Sequence, residues 1–342
     1  MNSNVAPNAA ERIAHIQRLL YVAPSEMLHE GEALLADSIA CRDLQTQVQA
    51  SVFLAIIRNQ LGVRLDDCQL LPNALQICEE NDFKQLSTQV LEMLGRDRYS
   101  GGLYVESLAY WKQCIEVCRQ LRHCGRAHVL ALIGLGHVCS AYSEHLQAVE
   151  FHRAALQLLQ LHPDALIHVK ALLSLGWDLF NAGEIDEAIR ILQQTTELSR
   201  EHQFGHYVSE SLLHLGTIYL KQHELARAEM YFEECLESMQ ETPSHWAECN
   251  LMGMLAEIRF LQGSPQMARE IVERGIHLAQ QDGLRHVETK LNAQAASYCA
   301  ALNDDSGVAY YGRQLEALHE ENTASWNIPA IDLSNIRQYL PG

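Results

Sequence analysis

The sequence predicts an all-α fold of about eight helix-turn-helix repeats, and two observations support this prediction. The first is a fixed period, because Leu135-Gly136, Leu175-Gly176 and Leu215-Gly216 stand 40 residues apart. The second is that apolar residues recur around these pairs at the three- and four-residue spacing of amphipathic helices. A sequence period of this length is typical of stacked helical hairpins.

Small residues keep the same register along most of the chain. Each of the three glycines is followed twelve positions later by an alanine: Ala148, Ala188 and Ala228. At intervals of 40 or 41 residues the register continues upstream and downstream through Ala14, Ala55, Gly95, Ala256 and Ala296. Small side chains at these points let the two helices of a hairpin approach closely. One hairpin cannot bury its own apolar face, so neighbouring hairpins must stack.

Turn signals separate the helices. The segment 181–184 (Asn-Ala-Gly-Glu) predicts a turn in which Gly183 adopts the left-handed conformation that ends a helix. Pro163 and Pro243 lie between repeats, where a helix has to stop. We therefore expect one repeat domain over residues 1–318, followed by a capping segment or linker over residues 319–342. The expected repeats lie near residues 7–47, 48–87, 88–128, 129–168, 169–208, 209–248, 249–288 and 289–318.

The pattern resembles the tetratricopeptide repeat family. That motif has Leu-Gly and a later aromatic residue in the first helix, then an alanine and another aromatic residue in the second. Leu215-Gly216, Tyr219, Ala228 and Phe232 match all of it. The period exceeds the usual repeat of about 34 residues and is similar to the long-hairpin arrays of bacterial signal-sensing proteins. The resemblance implies a right-handed α-solenoid whose first helices line a concave groove.

The resemblance also implies which side chains face the groove. Transferred by repeat position, the expected ligand- or peptide-binding residues are Gln89, Glu92, Arg96, Ile133, His137, Lys170, Leu173, Trp177, Phe180, Glu210, Leu213 and Asn250. Arg96, His137 and Lys170 supply hydrogen-bond donors or positive charge on successive first helices.

Apolar residues such as Trp177 would then form a floor of the kind that a peptide or small ligand requires. An alternative is that Trp177 and Phe180 pack against the neighbouring hairpin. Leu173 and Trp177 replace the polar residues with which the family's carboxylate clamp binds chaperone tails, which argues against a co-chaperone role.

The sequence contains no recognisable catalytic constellation. The motifs GxGxxG, GxxxxGK[ST], GxSxG and HExxH do not occur. Cys114 and Cys118 are four residues apart, but Cys114 occupies an alanine-like repeat position and is interpreted as a small core residue. His202 and His206 are interpreted as solvated turn residues, because no further ligand stands at a familiar metal-binding spacing. We expect no catalytic residue, no cofactor and no metal site.

The amino-acid composition restricts the classes of partner that the chain is expected to bind. Asp and Glu number 43 against 25 Lys and Arg, a formal net charge of −18, which argues against direct nucleic-acid binding and against an anionic membrane surface. The N-terminus does not have the pattern of a signal peptide, and no stretch approaches the roughly 20 apolar residues of a membrane span. The ten cysteines include no CxxC pair. We therefore expect a cytoplasmic protein with free thiols.

The last residues break the repeat. From His319 onward the chain contains Pro329 and apolar residues such as Trp326, Ile336 and Tyr339. Three roles stay open for this segment: it caps the last repeat, docks in the groove, or leads into a further domain.

These features together predict a non-catalytic interaction or sensing module. It would bind a peptide, a protein segment or a small signal in its groove and regulate a partner or output domain in bacterial-type signal transduction. Two alternatives stay open: a scaffold or adaptor for a folded protein, and the N-terminal sensory part of a larger transcription regulator or nucleotide cyclase. Homo-oligomerisation also stays open.

Overall fold

A computed structural model describes residues 8–20, 23–61, 69–122, 125–161, 163–323 and 330–341. Within these ranges the chain forms sixteen α-helices, one short 3-10 helix and no strand. The fold is therefore the all-α solenoid of helical hairpins that the 40-residue period predicts. No helix in the described ranges has the length and apolar character needed to cross a membrane.

The helices follow one another as first and second helices of hairpins. The first four pairs are α1 (Ala9–Leu19) with α2 (Pro24–Cys41), α3 (Leu44–Gln60) with α4 (Leu70–Glu80), α5 (Lys84–Ser100) with α6 (Tyr104–Leu121), and α7 (Arg126–Ala141) with α8 (His145–Leu159). The next four are α9 (Ala165–Asn181) with α10 (Ile185–Glu201), α11 (Gly205–Lys221) with α12 (Leu225–Glu241), α13 (His245–Leu261) with α14 (Pro265–Gln281), and α15 (Arg285–Ala301) with α16 (Asp305–Thr323). The 3-10 helix spans Ile336–Tyr339.

Local sequence accounts for where many helices begin and end. The side chains of Asp43, Asp164 and Ser244 each accept a hydrogen bond from a backbone N–H in the first turn that follows, which satisfies one of the unpaired donors there. The turn predicted at residues 181–184 is confirmed, since α9 ends at Asn181 and Gly183 has a φ of 90°. A left-handed backbone of this kind favours glycine.

Close helix contacts explain the small residues of the repeat. A Cβ atom added at Gly216 on α11 would overlap the ring of Phe232 on α12, and one at Gly176 on α9 would overlap the side chain of Leu192 on α10. Ala188 is fully buried at the corresponding point of its second helix. The two glycines therefore lie where large side chains of the second helix pack against the backbone of the first helix.

The chain divides into two compact units. Unit 1 comprises residues up to 143, residues 157–162 and the C-terminal residues from 329; unit 2 comprises residues 144–156 and 163–328. In unit 1 the core includes Ile16, Leu34 and Phe53. In unit 2 it includes Leu192 and Phe232. Each unit thus buries its own set of apolar first- and second-helix residues.

The described part of the C-terminal segment belongs to unit 1 and packs on α6. Ile336 is 1% exposed, and the Tyr339 hydroxyl donates to Glu116 Oε1 at 3.0 Å. The Arg119 guanidinium donates to the carbonyl oxygens of Gln338 and Leu340 at 2.8 and 2.9 Å. Residues 319–323 complete α16, whereas Trp326 and Pro329 lie outside the described residues. The apolar residues 331–339 are thus explained by contact with a second helix of unit 1.

The cysteines in the described ranges are free thiols, as expected from their spacing. Cys114 is fully buried, and its Sγ donates to the carbonyl oxygen of Thr88 at 3.3 Å. This geometry agrees with its interpretation as a small core residue at a helix crossing.

Candidate ligand-binding surfaces

In unit 2 the first helices form a continuous layer. α9 contacts α11, α11 contacts α13, and α13 contacts α15. Polar and aromatic side chains of four consecutive first helices are therefore brought close together.

The first part of this layer contains an ionisable group with a strongly shifted pKa. Burial raises the pKa of the Glu210 carboxyl to about 7, and the charge of Lys170 acts in the opposite direction. His206 Nε2 lies 3.7 Å from Glu210 Oε2. Burial, together with the charge of Lys170, lowers the pKa of His206. Lys170, His206 and Glu210 thus form one electrostatic cluster between α9 and α11.

Two turns along α9 from Lys170, an aromatic cluster covers the same layer. The indole of Trp177 stacks on the imidazole of His214 with ring centroids 4.4 Å apart, and the Phe180 ring lies 5.6 Å from the indole. Burial lowers the pKa of His214 to about 4, and the charge of Lys290 acts in the same direction. Trp177, Phe180 and His214 are each half-buried as whole residues.

The far part of the layer is basic. Lys221 Nζ lies 3.1 Å from Glu257 Oε1, which joins α11 to α13. Partial removal from water lowers the pKa of Lys290 on α15, while Glu257 raises it and Lys221 lowers it further. Lys170, Lys221 and Lys290 are three of the five lysines in the chain.

We call this layer the unit 2 first-helix face. It consists of Lys170, Trp177, Phe180, His206, Glu210, His214, Lys221, Glu257 and Lys290. Lysine ammonium groups beside exposed aromatic surface can bind a ligand that combines a carboxylate with an apolar group.

The remaining sequence-predicted residues of unit 2 lie beneath or beside this face. Leu173 and Leu213 are 6% and 3% exposed and belong to the cores of their hairpins. The Asn250 Nδ2 donates to the backbone carbonyl of Trp246 at 2.9 Å, while the Trp246 Nε1 donates to His286 Nε2 at 3.2 Å. The two leucines thus support the face from below, and Asn250 has a partner on its own helix.

In unit 1 the sequence-predicted residues of α5 line a pocket of about 340 Å³, which we call the unit 1 pocket. Gln89 is exposed, whereas Glu92 is 5% exposed. The Arg96 guanidinium donates to Glu92 Oε1 through Nη2 at 2.7 Å and through Nε at 3.2 Å. The two charges therefore neutralise each other at the wall of the pocket.

The two predicted residues of α7 have different environments. Ile133 is 4% exposed and lies in the core. His137 is half-buried, and its ring lies 5.7 Å from that of Tyr99. Only His137 of this pair presents a polar group near the surface of unit 1.

Several residues on these surfaces are absent from the sequence-predicted set, among them Lys290, His214 and His128. Lys290 stands six residues before Ala296, the repeat position that Lys170 and Glu210 occupy in their own repeats, so extending the same register would have found it. His214 lies between the repeat positions that the family resemblance marks. His128 lies at the start of α7 in the unit 1 pocket. Its repeat position is not one that the family resemblance marks as facing the groove.

A buried polar cluster in unit 2 also escaped prediction. Asp178 is 2% exposed; its Oδ1 lies 2.8 Å from His145 Nδ1 and its Oδ2 lies 3.1 Å from His152 Nε2. Across the described ranges no group of three or more His, Cys, Asp or Glu side chains is arranged to hold a metal ion. His202 is exposed, and His206 contacts Glu210 rather than His202. His145 and His152 therefore direct ring nitrogens at Asp178 within the protein.

Comparison with known proteins agrees with this architecture. The tetratricopeptide repeat family model matches residues 207–281, which include the complete motif around Gly216 and Phe232. No curated protein matches the sequence.

Solved structures with the same fold cover nearly the whole chain. A Rap protein complexed with competence and sporulation factor is 15% identical, with a TM-score of 0.60 over 93% of this chain and 99% of its own. The apo form of the quorum sensor NprR from B. thuringiensis is 12% identical, with a TM-score of 0.58 over 91% of this chain and 99% of its own.

A third structure is the Rap conjugation gene regulator of the plasmid pLS20 in complex with the Phr* peptide. It is 14% identical, with a TM-score of 0.56 over 92% of this chain and 93% of its own. The tetratricopeptide repeat model thus matches residues 207–281, and stacked helical hairpins with the same 40-residue register continue on both sides of this segment.

Proposed function

We propose that this chain is a regulatory module that binds an extended peptide on the unit 2 first-helix face. The observation that carries the proposal is the placement of three lysines on the first helices α9, α11 and α15, with the Trp177–His214 stack between α9 and α11. In a chain with a net charge of −18, positive charge gathered on one layer is a specific feature rather than a property of the whole surface.

The chemistry of the face favours an acidic peptide that carries an aromatic or large aliphatic residue. Carboxylates of the peptide would pair with Lys170, Lys221 or Lys290, and its apolar residue would lie against the exposed surface of Trp177. Phe180 extends this apolar surface. The proposal is supported by fold relatives whose structures contain a peptide or a sporulation factor.

Peptide binding would act on a partner through the hairpins that carry the face. Hairpins that contact only their neighbours can respond to a ligand by changing how they stack. We propose that the bound and free forms present different surfaces to a protein partner, and that this difference is the regulatory output.

A fluorescence-polarisation screen of random heptapeptides against the full chain tests the proposal. Acidic sets containing Phe, Trp or Leu should bind, and basic sets should not. Trp177→Ala and Lys170→Ala should each weaken binding by about tenfold, as expected for the loss of about 1.4 kcal/mol of contact energy.

Tyr310→Ala and Arg190→Ala are matched controls, because both residues are exposed in unit 2 but lie on second helices. Equal peptide binding by the wild type and the Trp177 and Lys170 variants would contradict the assignment of the binding site to the unit 2 first-helix face. Absence of peptide binding combined with capture of a folded partner through α10 or α12 would favour the adaptor function instead.

A further inference from the structure

The unit 1 pocket has the composition of a small-molecule site. Its volume of about 340 Å³ lies at the small end of the range of about 300–1,000 Å³ that is typical of ligand pockets. Leu20, Phe53 and Met93 supply apolar wall from α3, α5 and the end of α1. The pocket can therefore enclose an apolar body of limited size.

One end of this pocket is the first turn of α7. Gly125 is the N-cap residue and has no side chain with which to cap the helix, and Gly125, Arg126, Ala127 and His128 all line the pocket. The N-terminus of a helix of 16 residues carries a partial positive charge and directs backbone N–H groups outward. An anionic group is favoured at this position.

A second observation also indicates that this end of the pocket binds a ligand. His128 is 4% exposed, and neither of its ring nitrogens has a hydrogen-bond partner among the described residues. A buried polar group without a partner is unfavourable, because it has lost its hydrogen bonds to water without gaining others. A ligand that accepts a hydrogen bond from the imidazole would remove this penalty. The unsatisfied donor of His128 therefore lies at the same end of the pocket where the N-terminus of α7 favours an anion.

The acidic residue that lines the pocket does not oppose an anionic ligand, because it is paired with an arginine. Glu92 is the acidic residue of the lining, and Arg96 neutralises it at 2.7 Å. Burial lowers the pKa of His128 to about 4, with the charge of Arg119 acting in the same direction, so the imidazole is neutral at pH 7.

We propose that the unit 1 pocket binds a small carboxylic acid with an apolar body. The carboxylate accepts hydrogen bonds from the His128 imidazole and the first turn of α7, and the apolar body packs against Leu20, Phe53 and Met93. The site is separate from the peptide-binding face proposed above, because all of its residues lie in unit 1.

Isothermal titration of the full chain at pH 7 with octanoate tests this site, with octan-1-ol as a probe of the same body without the charge. Octanoate should bind at least about tenfold more tightly than octan-1-ol, which corresponds to one charge-assisted hydrogen bond. His128→Leu removes the unsatisfied nitrogens and should fold at least as stably as the wild type. It should weaken octanoate about tenfold and leave octan-1-ol unchanged.

His202→Leu is the matched control, since His202 is an exposed histidine of unit 2. Saturation with octanoate should also raise the pKa of His128 in imidazole NMR spectra, because a nearby carboxylate stabilises the charged ring. Equal octanoate binding by the wild type and His128→Leu would overturn the site. Absence of octanoate binding to the wild type up to about 10 mM would also overturn it, because that concentration is well above the range of specific binding.

A further titration distinguishes a small carboxylic acid from the C-terminal carboxylate of a peptide. The tripeptide Ala-Leu-Leu is titrated with a free and with an amidated C-terminus. Binding of the free form alone, without octanoate binding, would overturn the small-acid proposal in favour of a peptide C-terminus. The Trp177 and Lys170 variants of unit 2 should bind octanoate normally, so failure of this site and failure of the peptide-binding face give different results.

Discussion

The indole of Trp177 and the imidazole of His214 stack with their ring centroids 4.4 Å apart, joining the first helices of two consecutive repeats. The stack holds a histidine whose pKa is lowered to about 4 by burial and, in the same direction, by the charge of Lys290. Both a charged and an apolar part of a ligand could therefore be recognised within a short distance. This relationship makes the unit 2 first-helix face testable by pH and by mutation.

The first prediction concerns the titration of His214. Its folded-state pKa of about 4 lies below the ordinary value of 6.5, so the unfolded chain takes up a proton first as the pH falls. Stability is therefore lost progressively between pH 6.5 and pH 4 and then levels off. His214→Phe keeps an aromatic stack and removes the titration.

At pH 5 the His214→Phe variant should exceed the wild type in free energy of unfolding by about 1 kcal/mol more than it does at pH 8, after allowance for solvent access. Urea unfolding followed by circular dichroism measures this difference. His202→Phe, which replaces an exposed histidine, is the matched control. A constant difference between His214→Phe and wild type across this range would contradict the prediction.

The second prediction concerns Glu210 and has the opposite sign. Its pKa is about 7 in the folded protein against an ordinary 4.5, so the folded state holds a proton that the unfolded state has released. Stability should fall as the pH rises from 4.5 through 7 and then level off. Because the side chain is 23% exposed, the effect should be about 1 kcal/mol, smaller than the full pKa shift implies.

Glu210→Gln should therefore gain stability relative to the wild type between pH 5 and pH 8, measured by the urea midpoint. Glu197→Gln is the control, because Glu197 is exposed on the second helix α10. Parallel pH profiles for Glu210→Gln and wild type would show that this carboxyl titrates as it does in the unfolded chain.

The third prediction concerns the glycine of the repeat motif. A methyl group at Gly216 would overlap the Phe232 ring, which is fully buried. Gly216→Ala should lower the free energy of unfolding by about 1–3 kcal/mol, because the core must shift to accommodate it. Gly312 on α16 has open space around its Cβ position, so Gly312→Ala should be neutral or stabilising by up to about 1 kcal/mol. Thermal or urea unfolding of the two alanine variants compares them directly.

The fourth prediction concerns the C-terminal segment. Ile336 is 1% exposed against unit 1, and Arg119 on α6 binds two carbonyl groups nearby. Ile336→Ala should destabilise this contact by about 2 kcal/mol or more and increase amide hydrogen exchange in α6. Ile39→Ala is the matched control, because Ile39 is 54% exposed in the same unit. Unchanged exchange in α6 would mean that the segment adds no stability there.

Much of the fold could be predicted from the sequence because the repeat is a local pattern. The spacing of Gly176 and Gly216 already indicates where first helices cross second helices, and Gly183 already indicates a left-handed turn. Each of these features depends on residues within one hairpin, and each recurs at the same interval. In a periodic sequence, several repeats therefore indicate the same pairing of helices independently.

The candidate surfaces were predicted less completely, because burial and electrostatics depend on packing between hairpins. Glu92 and Ile133 stand at groove positions of the repeat, yet both are buried. His214 has no special repeat position, and its low pKa comes from burial and from Lys290, 76 residues away in the chain. Lys290 could have been found, since it shares the repeat position of Lys170.

The sequence by itself thus determined the all-helical class, the order of the hairpins and the small residues at their crossings, because helix formation and hairpin closure involve near neighbours along the chain. Only the tertiary structure decided that His128 is buried without a partner at the start of α7, that three lysines gather on one layer, and that the C-terminal segment packs on α6. Those outcomes depend on which distant segments exclude water from one another, a property that the repeat period does not encode.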